Sequence, residues 1–194
     1  MNLKWNPPAI LAYYEESRNC ENSAFNQAIA DYRKSSFFNP RHECSKLRIM
    51  RIAIHRVMLT NYLLRHLDEV GATAEQISGI ENDSEAFYNW LTAFAGTSKQ
   101  TVTLNAKKAW AYYILKRDEK MHQLEYHMEE VYSSSWWARS HAERAMQYIP
   151  EMLKLCAFLL QYADQAMLTA EQHSMLLNDE ETYYAYMVRL IREL

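Results

Sequence analysis

Not one glycine stands between Gly96 and Leu194, and Pro150 is the single proline of that half of the chain. Glycine and proline punctuate turns and strands, so a long stretch without them reads as helix following helix. Cysteine is scarce as well. Cys20, Cys44 and Cys156 are odd in number, far apart and without CxxC spacing, so they indicate neither a disulfide framework nor a zinc site. Cys156, inside the apolar run Leu155 to Leu160, reads as a small core residue. No apolar run approaches the ~18 residues of a membrane span, and the opening Met-Asn-Leu-Lys-Trp-Asn-Pro-Pro has no apolar signal core. The expectation is a cytoplasmic protein with no membrane partner. A net charge of -3 and a pI near 6.2 exclude a global field that would gather nucleic acid, so any such binding must be local. There is no P-loop, GxGxxG, GxSxG, HExxH or DDxxD-like cluster, and three glycines leave little material for a phosphate-cradling loop.

What is present is helical periodicity. Trp110, Ile114, Arg117, Met121, Leu124, Met128, Val131, Ser135, Ala138, Ala142, Ala145, Ile149 and Met152 alternate in spacings of four and three, a heptad a/d stripe. A continuous helix from Leu104 to Ile149 would run about 69 Å, well beyond a globule of roughly 40 Å, and would project. A break at Ser133, Ser134 and Ser135 would let each piece fit one globule. The 194 residues suit a single helical domain, 1–194, and the fold class expected is all-α: a multi-helix bundle with one or two long coiled-coil-like helices. Fourteen tyrosines are many for such a core, and they fill wide gaps between helices while keeping one wet end.

Along the chain, Asn6 as N-cap and Pro7 open a first helix to about Arg18, and a second runs from Asn22 to Arg33. Ser35 to Pro40, with Phe37 and Phe38, form the clearest loop. A third helix runs from Arg41 to Val70 and ends at Gly71. Thr73 with Gln76 resembles a capping box, and Ser84 caps a further helix to Ala95. Pro150 opens the next helix, Thr169 with Gln172 suggests another box, and a last helix covers 179–194. The segments Ala12-Tyr13-Tyr14 with Arg18 and Ala111-Tyr112-Tyr113 with Arg117 look alike, a coincidence to be expected in a tyrosine-rich chain.

Three constellations could carry function. The third helix is apolar nearly all round yet holds Arg48, Arg51 and His55 on one stripe, where arginine offers bidentate donors to phosphate and histidine can move a proton near neutral pH. Internal ion pairing of these cations is the plainer reading. Asn61, in the seam of that helix, either fixes a helix pairing or is satisfied internally. Glu119-x-x-His122, followed by Glu125, His127 and Glu129, resembles half of a di-iron turn, but the heptad phase puts Glu119, His122 and Glu129 opposite the seam and no second copy exists, so no metal and no cofactor are expected; His141, with Glu143 and Arg144, lies beside Trp136 and Trp137. The seam residues Trp110, Arg117, Met121 and Met128 with Trp136 and Trp137 are the candidate partner-binding set. The function expected is a non-catalytic protein-interaction module, an adaptor, inhibitor or subunit, acting through that helix face as a homodimer or in a complex. The alternative is a nucleic-acid-binding or RNA-cleaving protein using Arg48, Arg51 and His55. No catalytic residue is assigned.

Overall fold

A computed structural model describes residues 6–35, 39–94, 105–133 and 137–193. It is all-α: eight helices and no strand among the described residues. They are α1 (Pro7–Lys34), α2 (Pro40–Arg65), α3 (Leu67–Val70), α4 (Ala74–Phe94), α5 (Ala106–Ser133), α6 (Ala138–Gln161), α7 (Ala163–Ala166) and α8 (Ala170–Glu193). None of them is long and apolar enough to cross a membrane. The chain divides into two compact units, residues 1–88 and 89–194, with the division inside α4.

In the first unit α1 begins where Asn6 Oδ1 accepts from the N–H of Ala9 and Pro7 follows. It then runs without interruption to Lys34, so the expected break near Arg18 is absent. Ile10, Leu11, Tyr14, Phe25, Ala28 and Ile29 recur at helical spacing and bury one continuous face. α1 and α2 are antiparallel neighbours, since Glu21 meets Arg56 while Ser35 meets His42 farther along α1 and earlier along α2. Ile10, Leu11 and Tyr14 pack with Leu59 and Leu63 of α2 and Ile80 of α4. α2 stops at Arg65 rather than Val70. His66 leaves helical geometry (φ -115°, ψ 26°), one further turn forms as α3, and Gly71 closes it in the left-handed region at φ 60°. The Thr73 and Gln76 box is formed in both directions. It opens a helix that continues through Ser84, which is buried inside it rather than capping a new one. Phe37 and Phe38 lie outside the described residues.

The second unit repeats this plan. α5 ends at Ser133 and α6 begins at Ala138, with 134–136 outside the described residues, and the two helices pack against each other as an antiparallel hairpin. The heptad stripe is therefore folded back on itself: Leu124, Met128 and Val131 are buried, as are Ala142, Ala145, Ile149 and Met152 on the facing helix. No projecting rod forms. Pro150 does not open a helix but sits buried within α6, where packing of Met146, Ile149 and Leu153 holds the helix across the hydrogen bond that proline cannot make. Tyr162 then breaks the helix at φ -114°, ψ 34°, nearly the geometry of His66, and Met167 closes α7 at φ 57°, ψ 44°, nearly that of Gly71. The Thr169 and Gln172 box starts α8 at Ala170, earlier than residue 179.

Candidate functional site

The likeness of the two tyrosine-arginine segments is not a coincidence, because the structure gives both the same task. In the first unit the Tyr14 hydroxyl donates to Asp83 at 2.7 Å, and Arg18 grips the same carboxylate through Nε at 3.0 Å and Nη2 at 3.2 Å. In the second the Tyr113 hydroxyl and Arg117 Nε donate to Asp179, and Arg117 Nη2 adds a bond of 2.8 Å. Each aspartate follows its capping box at the same interval, within Thr73-Ala74-Glu75-Gln76 to Asn82-Asp83 and Thr169-Ala170-Glu171-Gln172 to Asn178-Asp179. Along α2 and α6 the equivalence continues through buried pairs: Met50 with Met146, Ala53 with Ile149, Val57 with Leu153, Thr60 with Cys156, and Leu63 with Leu159. Each triad ties the first long helix of its unit to the last, α1 to α4 and α5 to α8.

The triads are alike in all three members, and the units differ in what stands beside them. Arg56 is wholly buried in the first unit, donating to Glu21 at 3.2 Å and Asp83 at 2.9 Å, with its guanidinium 4.3 Å from the centre of the Tyr14 ring. Met152 holds the equivalent place in the second unit. Burial alone would raise the Asp83 carboxyl, but hydrogen bonds from Arg18, Tyr14 and Arg56 outweigh it and hold the group below its usual range. The same burial and the Asp83 charge push the Tyr14 phenol up. In the second unit hydrogen bonding to Asp179 raises Arg117, and burial raises the Cys156 thiol, whose Sγ lies 3.5 Å from the Tyr113 hydroxyl. Cys156 is a core residue held as the thiol, with no nucleophilic thiolate to offer.

The sequence-derived candidates divide sharply. Of the partner-binding set, Met128 is core, Arg117 is bound to Asp179 and Asp118, Trp110 and Met121 are half-buried, and Trp136 lies outside the described residues. Trp137 is exposed at 67%. It stands at the start of α6, the hairpin end where Tyr132 and Tyr126 are exposed at 59% and 52%. Tyr126 borders a histidine pair there: His127 Nδ1 and His141 Nδ1 are 3.0 Å apart, and the His127 ring stacks parallel on Tyr148. A contact of that kind needs one nitrogen as donor and the other as acceptor, so both rings cannot be protonated in it. Burial first, then the charges of His141 and Arg144, lower the proton affinity of His127. The stretch Tyr126-His127 and His141 carries no standard motif, and only the pairing of α5 with α6 brings its rings together.

On α2, Arg48 and Arg51 are exposed and make no ion pair with the described residues, contrary to the expectation of internal pairing, while His55 is held by Glu21 at 3.2 Å. The buried, internally paired cation of this helix is Arg56. Asn61 donates to the Tyr88 hydroxyl at 2.8 Å and is satisfied within the first unit. Glu119, His122, Glu125 and Glu129 are exposed, Glu119 pairing with Lys116, and no group of metal-ligating side chains occurs among the described residues. No family model, curated protein or solved structure matches the chain.

Proposed function

We propose that the protein is a non-catalytic helical interaction module whose binding surface is the aromatic rim of the second unit, and that its first partner is a second copy of the chain. The observation that carries this reading is the exposure of Tyr126, Tyr132 and Trp137 at one end of the α5–α6 hairpin, beside the half-buried His141. Tyrosine and tryptophan give large contact areas for little conformational entropy and dominate the energetics of protein interfaces. The stripe from Leu124 to Val131 is buried against Ala142, Ala145, Ile149 and Met152 in the hairpin, so we place the interface at the hairpin end rather than along that seam. Size-exclusion chromatography with light scattering tests the reading. A dimer that Tyr132→Ala/Trp137→Ala turns into a monomer supports it, and a protein that stays monomeric at all concentrations removes it.

A second reading rests on Arg48 and Arg51, exposed cations that face a groove of the first unit without a carboxylate partner among the described residues. They supply local phosphate affinity that the net charge of the chain does not. Co-elution of nucleic acid, read from absorbance at 260 against 280 nm across the same peak, favours it.

A further inference from the structure

The repeat shows what one face of the first unit is missing. Between α1 and α2 lies a groove of about 460 Å³, lined by Cys20, Glu21 and Ala24 on one side and by Cys44, Leu47, Arg48, Arg51 and Ile52 on the other. In the second unit the place of Ile52 is taken by Tyr148, whose ring stacks on His127 and lies 4.7 Å beneath Lys120 Nζ. The counterpart of His127 in the first unit is Ala28, and that of Lys120 is Glu21. The ring on this face is thus replaced by Ile52, the buried histidine behind it by the buried Ala28, and the cation by a carboxylate already held by Arg56 and His55. One unit fills this face with its own aromatic ring; the other leaves an opening lined by Ala24, Leu47 and Ile52, with Arg48 and Arg51 and the internally paired Glu21 at its edge.

We infer that the groove of the first unit is a seat for one base of a single-stranded nucleic acid, with flanking phosphates on Arg48 and Arg51. The inference rests on the second reading above and adds the site and its register. Exposed Arg41, Arg48 and Arg51 share one helix face over ten residues, about 15 Å of α2. That is longer than a single phosphate needs and suits successive phosphates of a strand more than one phosphorylated side chain. Sequence-tolerant single-strand binding combines a cationic track along the phosphates with side-chain faces that cover the bases; no aromatic ring among the described residues lines this groove, so the guanidinium planes of Arg48 and Arg51 supply those faces, with Leu47 and Ile52 as apolar contacts.

The test uses the full chain and a fluorescein-labelled ten-nucleotide oligouridylate, with binding read by anisotropy at low and moderate salt. Arg48→Glu/Arg51→Glu, at exposed positions, should weaken binding by about ten-fold or more and flatten the salt dependence. Ile52→Tyr, which supplies the ring that the second unit carries, should weaken it roughly ten-fold with circular dichroism unchanged, whereas Arg144→Glu, the second-unit counterpart of Arg48, should not. The oligonucleotide should also shield Cys20 and Cys44 from alkylation, a readout that does not depend on substitution. Failure of the wild-type chain to bind the oligonucleotide or heparin overturns the second reading itself. Binding that the arginine variant loses and Ile52→Tyr keeps, without thiol shielding, overturns the base seat alone, as does selective binding of a phosphotyrosine peptide.

Discussion

Asp83→Asn and Asp179→Asn remove the same charge from the same place in two repeats, so the difference between them isolates Arg56. Asp83 accepts from Tyr14, from Arg18 twice and from Arg56, and its loss leaves Arg56 with Glu21 as its remaining carboxylate among the described residues. The Arg56 side chain is 0% exposed and its Nε is already without a partner, so it cannot turn to water. Leaving a buried cation short of its counter-charge costs about 3–5 kcal/mol. Arg117, by contrast, is 27% exposed and keeps Asp118 within 3.1 Å, so Asp179→Asn costs the charge-assisted bonds themselves, roughly 1.5–3 kcal/mol. Urea unfolding followed by far-ultraviolet circular dichroism measures both. The companion substitution Arg56→Met copies the second unit and leaves both carboxylates partnered, Asp83 by Arg18 and Tyr14 and Glu21 by His55, so it should cost less than Asp83→Asn, about 1–3 kcal/mol for the charge-assisted bonds it removes. An Asp179→Asn protein destabilised as much as Asp83→Asn, or an Arg56→Met protein that fails to fold, refutes the reasoning.

Met167 occupies the left-handed region at φ 57° where the first unit has Gly71, so Met167→Gly should raise stability by about 1 kcal/mol, and Gly71→Ala should lower it by a similar amount, both read as shifts in the urea midpoint. His127 resists protonation in the folded protein, so the unfolded chain takes up more protons below its ordinary pKa of about 6.5. Stability should fall as pH drops through and below that value, and His127→Leu should flatten this part of the profile measured between pH 5 and 8. The Asp83 carboxyl is depressed on folding, so its contribution is present above about pH 4 and is lost on further acidification. Asp83→Asn removes that loss. Asn61→Leu removes the amide that donates to the buried Tyr88 hydroxyl and should lower stability by about 1 kcal/mol or more, read as a shift in the urea midpoint.

The ends of helices were the most legible part of this sequence, because a cap is a local event. Asn6 with Pro7, Gly71 and both threonine-glutamine boxes act where their residue types place them. Interiors were harder to read. Ser84 and Pro150 carry strong local preferences for a helix start, yet both lie buried within long helices, where tertiary packing outweighs the cap preference of serine and the missing N–H of proline. The heptad stripe was real as a pattern and ambiguous as a structure. The same spacing serves a rod seeking a partner and a hairpin closing on itself, so the pattern alone does not choose between them.

The repeat was visible in principle and hidden by how it is shared. Side-chain identity survives where one carboxylate must be gripped, in Tyr14, Arg18 and Asp83 against Tyr113, Arg117 and Asp179, and in the boxes that set the start of α4 and α8. Along α2 and α6 only burial survives, since Val57 and Leu153, or Thr60 and Cys156, satisfy the same packing with different atoms. A search for similar words sees two short matches, while the order of the matches along the chain is the real signal. Once the repeat is known, each departure from it becomes informative. Arg56 against Met152, Ala28 against His127 and Ile52 against Tyr148 are places where the shared fold tolerates either residue, so the fold does not dictate the choice. The histidine pair and the open groove both fall at such places, and binding is therefore to be sought there rather than in the triads that the two units hold in common.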